Sequence, residues 1–210
     1  MGEAEKHLMK VCPAMKAHVK GHAPYPTAFT GFKDPYRALI RAVVFQQLSG
    51  KAATTIYNRV IALYPGRKHP EPAEILKTKD EKLRAAGLSR QKIAAIKDIA
   101  QKRIHKIIPH QRSIAHLPDE EIIERLTEAR GVGRWTVEMY LMFSLGRPDV
   151  LPIDDLGVRK GASKMLGREL NAKELAEYGA RWAPWRSAAA WHCWRAVETV
   201  LMDPKLAKQS

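Results

Sequence analysis

The stretch LTEARGVGRWTVEMYL, residues 126–141, decides the fold, because it places a helical pattern on each side of Gly131-Val132-Gly133. The upstream segment, PDEEIIERLTEARG, gathers three acids in its first turn, where the helix dipole favours negative charge. The downstream segment, RWTVEMYLMFSLG, predicts a second helix. Because glycine adopts backbone angles that are closed to other residues, we expect a tight hairpin between the two helices.

The hairpin has a functional and a purely structural interpretation. The first N–H groups of the helix after Gly133 have no partner within that helix, so they form a site for a phosphate. A protein can bind DNA in this way without reading its sequence. A Gly-x-Gly turn is also an ordinary connection between packed helices, so the motif alone does not decide. The candidate contacts to the DNA backbone are Gly131, Val132, Gly133, Arg134 and Thr136.

The rest of the chain is also helical in pattern, which predicts an all-α fold. Asp34 stands before a proline and an apolar period at helical spacing, and Ser49 and Ser89 stand before further helical segments. All three are residue types that cap helix N-termini. No window alternates apolar and polar residues for long enough to predict a strand. We expect loops at residues 21–31 and 107–118.

The charge balance indicates a polyanionic partner. The 210 residues contain 36 Lys and Arg against 22 Asp and Glu, a formal net charge of +14. This surplus favours nucleic acid, and a solvated basic surface without a specific partner is the alternative. Cys12 and Cys193 stand too far apart for a zinc motif, and no pair of histidines forms an HExxH motif. No run of about 18 apolar residues predicts a membrane helix.

The segment LPIDDLGVRKG, residues 151–161, adds two adjacent carboxylates, Asp154 and Asp155. In the first turn of a helix, adjacent side chains project about 100° apart, so these two do not face each other as a glycosidase pair would. We therefore expect one to point into a site and the other to cap the helix or face solvent. The alternative is that both only cap the helix LGVRKGASKML.

Three blocks of sequence together resemble one family. They are FQQLSGKAA (45–53), GVGRWTVEM…LGRPDVLPIDDLGVRKG (131–161) and RWAPWRSAAAWHCWRA (181–196). They resemble the helix-hairpin-helix (HhH-GPD) superfamily of DNA glycosylases, and most of all its alkylation-repair branch, the 3-methyladenine DNA glycosylase II type. The resemblance extends from about Asp34 to Met202.

The resemblance implies an all-α helix-hairpin-helix fold of two helical subdomains, with the active site in the cleft between them. Longer members carry an extra N-terminal β domain, for which this chain has no room. Residues 1–33 would form a segment that packs on the C-terminal subdomain, and residues 34–130 the central helical subdomain. Residues 131–210 would supply the hairpin, the catalytic loop and the C-terminal helices of one compact HhH-GPD unit.

The implied activity is base-excision repair. The enzyme would flip an alkylated purine, such as 3-methyladenine or 7-methylguanine, out of the DNA and hydrolyse its N-glycosidic bond. A fixed carboxylate stabilises the cationic sugar that forms as this bond breaks. In the alkylation branch the matching aspartate directly precedes LG, which selects Asp155, whereas the branch for oxidised bases favours Asp154. Two other functions stay open here: a non-catalytic helix-hairpin-helix DNA-binding protein, and a bifunctional glycosylase/lyase for oxidised bases.

The resemblance also assigns a base pocket. Family members that cut the DNA strand carry a lysine after GVGR, and Trp135 at this position implies a monofunctional hydrolase. Trp135 and Trp194 match aromatic positions of the family pocket, and an aromatic face attracts a cationic base. Met139 stands where a relative has a further aromatic residue, so we expect Tyr140 or Tyr25 to compensate.

The family inserts a side chain, here called the wedge, into the space that the flipped base leaves. The matching segment is FQQLS, so the candidate wedge residues are Gln47, Leu48 and Ser49. GLSR (87–90) resembles a second insertion loop, with Leu88 as its candidate. The alternative is that the serine is a helix cap and that the leucine at position 48 belongs to the core.

The expected partner is double-stranded DNA that contains alkylated bases. We expect no catalytic cofactor or metal, and the resemblance implies only a structural Na⁺ or K⁺ near Gly131 and Gly133. We expect no membrane association and a monomeric protein. The chain would act in the cytoplasm of a bacterium or archaeon, at the nucleoid, or in a eukaryotic nucleus.

Overall fold

The computed structural model describes residues 2–26, 28–29 and 31–197. Within these ranges the regular elements are helical and no strand occurs, so the predicted all-α class is confirmed. The helices are α1 (Glu3–Val11), α2 (Pro13–Gly21), α3 (Pro35–Phe45), α4 (Gly50–Ala62), α5 (Pro72–Lys77), α6 (Asp80–Ala85), α7 (Arg90–Ile104), α8 (Gln111–Ile114), α9 (Asp119–Thr127), α10 (Arg134–Tyr140), α11 (Leu156–Leu166), α12 (Ala172–Gly179) and α13 (Arg186–Ala196). None of the described helices is long and apolar enough to cross a membrane.

The starts of three helices lie where local sequence signals predict them. Asp34, Ser49 and Ser89 each accept a hydrogen bond from the backbone N–H three residues later, at 3.2, 3.4 and 3.2 Å. Each bond satisfies one of the N–H groups that a helix N-terminus leaves without a partner. These caps fix the starts of α3, α4 and α7.

Residues 32–140 form one compact unit with α7 at its centre. Helix α7 packs against α3, α5 and α6, and α3 also contacts α4. The ion pair between Arg103 Nη2 and Asp34 Oδ2, at 2.6 Å, joins the end of α7 to the start of α3. Because both charges are largely removed from solvent, the loss of either partner would leave the other uncompensated.

The other compact unit combines the described residues up to Gly31 with those from Leu141 to residue 197. Helix α11 packs along α13, and α1 and α2 pack against this pair. The contact between α11 and α13 is very close at Gly161, where an added Cβ would lie 1.9 Å from the backbone oxygen of Cys193. Helices α1 and α2 lie outside the three blocks of sequence that resemble the family.

The boundary between the units differs from the expected one at residue 131. Helix α10 continues directly into a π-helical turn, Leu141–Leu145, and the chain passes from one unit to the other between Tyr140 and Leu141. Helix α10 contacts α9 and α3, and the Tyr140 hydroxyl donates a hydrogen bond to Lys33 O at 2.7 Å. The hairpin and α10 therefore belong to the unit of residues 32–140. Residues 198–202, at the end of the last predicted helix, lie outside the described residues.

Candidate active site

Asp155 is the N-cap of α11 and is 6% exposed. Its Oδ1 accepts a hydrogen bond from Val158 N–H at 2.8 Å, and its own N–H donates to Pro152 O at 3.1 Å. The helix backbone therefore fixes both the main chain and the side chain of this residue. A buried carboxylate held by backbone donors is already oriented before any reaction begins.

A second element also holds this carboxylate. Trp194 of α13 donates its indole Nε1–H to Asp155 Oδ1 at 2.8 Å. Glycine at position 157 makes room for this contact, because a Cβ there would lie 2.8 Å from Trp194 Cδ1 and 3.1 Å from Asp155 Oδ1. Trp194 is 4% exposed, so the structure corrects the expectation that its face stacks on the lesion. Its ring is enclosed, and its N–H positions the carboxylate instead.

The two adjacent aspartates are unequal. Asp154 is exposed, whereas Asp155 is buried and caps the helix. Asp155 is therefore both the helix cap and the enclosed carboxylate, and Asp154 is the member of the pair that faces solvent. The geometry favours Asp155 as the functional acid.

The loop before Asp155 is fastened to the start of α13 by residues that the sequence reasoning missed. Arg186 donates two side-chain hydrogen bonds to the carboxylate of Asp149, at 2.7 and 2.9 Å. Although burial raises the pKa of Asp149, the hydrogen bonds and charge of Arg186 hold it below its usual value. Ser187 Oγ donates to Arg147 O at 2.7 Å and accepts from Val150 N–H at 3.0 Å. These bonds join residues that are 37 to 40 positions apart in the sequence, so no local motif predicts them.

Of the two hairpin glycines, Gly131 has the left-handed backbone conformation that favours glycine. Gly131 has a φ of +77°, in the left-handed region that disfavours side chains. Gly133 is exposed, and a Cβ there would meet no atom within 4 Å. Val132 was expected to contact the DNA backbone, and the structure corrects this expectation. Its side chain is buried and its N–H donates to Ala129 O at 3.0 Å. This residue closes the turn.

Arg134 is engaged by two carboxylates of the same unit. Its guanidinium donates to both oxygens of Glu120, at 2.7 and 3.1 Å, and its Nε donates to Glu138 Oε1 at 3.1 Å. The hydrogen bonds that Arg134 donates to Glu120 raise the pKa of the guanidinium, so the group stays charged. A DNA phosphate would have to compete with these two carboxylates for the guanidinium. This corrects the expectation that Arg134 is free to contact the DNA backbone. Thr136, one turn into the helix, is half-buried.

The candidate pocket residues differ in exposure. Trp135 is 44% exposed, and Met139 is half-buried. Tyr140 is buried with its hydroxyl bonded to Lys33 O, so it does not replace the missing pocket aromatic. Tyr25 is half-buried beside the rings of Phe29 and Trp191, and burial raises its pKa to about 12. Trp135 is thus the large, exposed aromatic ring among the candidates.

The candidate wedge residues lie in the turn that joins α3 to α4, residues 46–49, here called the α3–α4 turn. Gln47 is exposed and has a φ of +56°, which is uncommon for a residue with a side chain. Leu48 is 39% exposed at the tip, and Ser49 is exposed while it caps α4. Leu88 is 3% exposed, so the prediction of a second wedge at this residue is wrong. Its side chain belongs to the core.

The described residues contain no cluster of three or more His, Cys, Asp or Glu side chains that could bind a metal. The expected structural cation would use carbonyl oxygens of the hairpin. Gly131 O accepts from Gln46 Nε2 at 2.9 Å, and Gly133 O accepts from Val137 N–H at 3.3 Å. A carbonyl oxygen has two lone pairs, so each could still bind a monovalent cation. The cation stays a prediction.

Comparison with known proteins identifies similar chains. The model of the HhH-GPD superfamily of base excision DNA repair proteins matches residues 40–185. DNA-3-methyladenine glycosylase 1 of Schizosaccharomyces pombe is 41% identical over 196 residues, which cover 92% of this chain and 86% of that protein. The alkylbase DNA glycosidase-like protein mag2 of the same yeast is 32% identical, over 91% of this chain and 92% of that protein.

Solved structures are similar over nearly the whole chain. The 3-methyladenine DNA glycosylase of Schizosaccharomyces pombe in complex with abasic DNA has a TM-score of 0.82 and 39% identity, and the match covers 95% of this chain and 98% of that one. A DNA-3-methyladenine glycosidase of Bacillus halodurans also has a TM-score of 0.82, with 32% identity and coverage of 94% and 90%. The expected helix-hairpin-helix glycosylase fold is thereby confirmed.

Proposed function

Since this chain belongs to the HhH-GPD superfamily of base excision DNA repair proteins, we propose that it is a monofunctional DNA glycosylase that hydrolyses the N-glycosidic bond of alkylated purines. The observation that carries the proposal is the carboxylate of Asp155. This acid is buried in a chain with a net charge of +14, and both Val158 N–H and Trp194 Nε1–H hold its Oδ1 at 2.8 Å. A helix cap explains the bond from Val158 N–H alone, whereas the second bond, from Trp194 on another helix, holds the carboxylate in one orientation, as a catalytic acid requires.

The chemistry follows from the charge that develops on the sugar. As the bond between C1′ and the base breaks, the base takes the electron pair and the deoxyribose becomes an oxocarbenium-like cation. The Asp155 carboxylate stabilises this cation and orients the water that attacks C1′. A purine alkylated at N3 or N7 already carries positive charge, so it leaves as a neutral base without a proton donor. Water supplies the new C1′–O bond and releases one proton.

The nucleotide must leave the stack before it can react. The exposed indole of Trp135 offers a face for a cationic base, which is worth about 0.5–2 kcal/mol depending on desolvation. The hairpin at Gly131 and Gly133 approaches the DNA backbone, and Leu48 at the tip of the α3–α4 turn is the wedge. The partner is double-stranded DNA with alkylated bases, and a monomer acts on it without a catalytic cofactor, at the nucleoid or in the nucleus.

Release of free base from methylated duplex DNA tests this function. Wild type should release alkylated purines, and Asp155→Asn should slow single-turnover release by at least about 100-fold. Asparagine is also a good N-cap, so this variant keeps its helix start. Asp154→Asn is the matched control, because it removes the same charge from the exposed neighbour. If wild type releases no base, or if Asp155→Asn keeps the full rate, the catalytic proposal is wrong.

The monofunctional mechanism has a separate test. A lyase forms a Schiff base between an amine and the opened sugar, and borohydride traps this adduct covalently. With Trp135 after GVGR, we expect no trapped complex on abasic DNA. A trapped complex would replace the hydrolase with a bifunctional glycosylase/lyase.

A further inference from the structure

The α3–α4 turn is held in place by a lysine from a distant part of the sequence. Lys92, in the first turn of α7, donates from Nζ to Val44 O at 2.6 Å and to Gln46 O at 2.8 Å. The carbonyls at the end of a helix lack partners within it and carry partial negative charge, so an ammonium group stabilises them. Burial lowers the pKa of Lys92, which is consistent with an ammonium group partly withdrawn from water into this contact.

The turn requires such support. Immediately after Gln46 the chain enters the left-handed region at Gln47, with a φ of +56°. A residue with a side chain adopts this conformation at a cost of about 1–3 kcal/mol, and only where its surroundings enforce it. The next residue is Leu48, whose exposed side chain forms the tip. A loss of the Lys92 contacts would allow the backbone at Gln47 to relax, and Leu48 would then change direction.

The same turn is also bonded to the hairpin. Gln46 donates from Nε2 to Gly131 O at 2.9 Å, within the unit of residues 32–140. The carbonyl of Gln46 thus binds Lys92 while its side chain binds the hairpin. The tip that carries Leu48 and the glycine turn are therefore fixed relative to each other by one residue.

We propose that Lys92 and Gln46 are positioning residues for base flipping, which hold the Leu48 tip in a fixed register with the phosphate-binding hairpin. The proposal rests on the proposed glycosylase function. With the register fixed, the contact of the hairpin with the DNA backbone also determines the base step at which Leu48 enters. Lys92 acts through the turn and touches neither the base nor the reacting bond.

The test compares two substrates that differ in the cost of flipping. One duplex carries a single alkylated purine opposite its normal partner, and the other carries it opposite an abasic site, where no base pair must be broken. We expect Lys92→Met to slow single-turnover base release from the paired duplex by about 10-fold to 100-fold, because a displacement of about 1 Å has effects of this size. Release opposite the abasic site should fall by less than about threefold, since extrusion is then inexpensive.

Three further variants make the result specific. Lys82→Met removes the same charge from an exposed position on α6 and should behave as wild type. Lys92→Arg should recover part of the lost rate, because it can still donate to the carbonyls. Gln46→Leu removes only the side-chain bond to Gly131 O, and it should show the same preference for the unpaired substrate even if Lys92→Met folds poorly.

The outcomes separate the inference from the function on which it rests. If wild type releases base but Lys92→Met and Gln46→Leu match it, or lose rate equally on both duplexes, the positioning role is wrong. If Lys92→Met reduces the slope of log K against log salt by about 0.9, Lys92 contacts a phosphate and the inference is also wrong. Absence of base release by wild type would instead contradict the glycosylase function.

Discussion

Gly161→Ala should uncouple Asp155, the proposed catalytic carboxylate, from the tryptophan that holds it. A Cβ at position 161 would lie 1.9 Å from the backbone oxygen of Cys193, 2.4 Å from its carbonyl carbon and 2.8 Å from its Cα. These are backbone atoms of α13, so they cannot turn aside as a flexible side chain would. Since ordinary van der Waals contact begins at about 3.4 Å, the two helices must separate by 3.4 − 1.9 = 1.5 Å.

This separation is large compared with the tolerance of the site. Asp155 lies at the start of α11 and Trp194 on α13, and their hydrogen bond of 2.8 Å would stretch towards about 4 Å, beyond the usual limit of about 3.2 Å. Overpacking of a core typically costs about 1–3 kcal/mol, and we expect the upper end because backbone must move. A displaced carboxylate should lower the single-turnover rate by at least about 100-fold.

Urea unfolding and single-turnover base release, measured on the same preparations, test both effects. Gly21→Ala is the control, because a Cβ at this last residue of α2 would meet no atom within 4 Å and alanine favours a helix. The control should keep full activity and equal or greater stability. If Gly161→Ala retains the wild-type rate per folded molecule, the α11–α13 contact does not position the carboxylate.

The remaining predictions concern one hydrogen bond, one ion pair and one buried histidine. Trp194→Phe keeps an aromatic ring, although a smaller one, but removes the N–H donated to Asp155. The kcat should fall at least about 10-fold with little change in KM, and an unchanged kcat would contradict the positioning role. Glu120→Gln releases Arg134 from an exposed ion pair, so duplex DNA should bind about threefold to tenfold more tightly with under about 1 kcal/mol of lost stability; unchanged affinity would show that this guanidinium does not reach DNA. Burial lowers the pKa of His69 to about 4, below its ordinary 6.5, so the unfolded chain takes up a proton before the folded one as the pH falls. The neutral, buried histidine therefore contributes stability above pH 6.5, and this contribution is lost as the pH falls towards 4. The loss is about 3 kcal/mol by pH 4, and His69→Phe should flatten this part of the urea-unfolding profile, whereas a profile of unchanged slope would place the titration elsewhere.

The parts of the fold that sequence predicted are those controlled by local interactions. Asp34, Ser49 and Ser89 cap helices because the chemistry of an N-cap involves only the next three residues. The left-handed turn at Gly131 is local in the same sense. The bounds of α1 and α2 were not predicted, because no motif in this segment matched the family, although Met15 and Val19 are buried four residues apart on α2.

The parts that sequence could not assign depend on contacts between distant residues. Leu88 and Leu48 are the same residue type in similar loops, yet one is 3% exposed and the other 39%, and only packing decides between core and tip. The prediction of a wedge at Leu88 could therefore be corrected only from the tertiary structure. Arg134 could have been paired with Glu138 from the spacing of four residues, but its bond to Glu120 spans fourteen.

The site itself shows why a motif and its structural alternative need not exclude each other. A cap and a catalytic acid both require a carboxylate held in one orientation, and at Asp155 the helix backbone provides that orientation through Val158 N–H. In the proposed mechanism, the capping bond fixes the negative charge before the sugar cation forms, so little reorganisation is needed as the glycosidic bond breaks. Asp154 is one residue earlier and exposed, and it lacks the N-cap position that provides this orientation. In the proposed reaction, the basic surface attracts DNA over long range, whereas the helix start determines which single acid faces the cation.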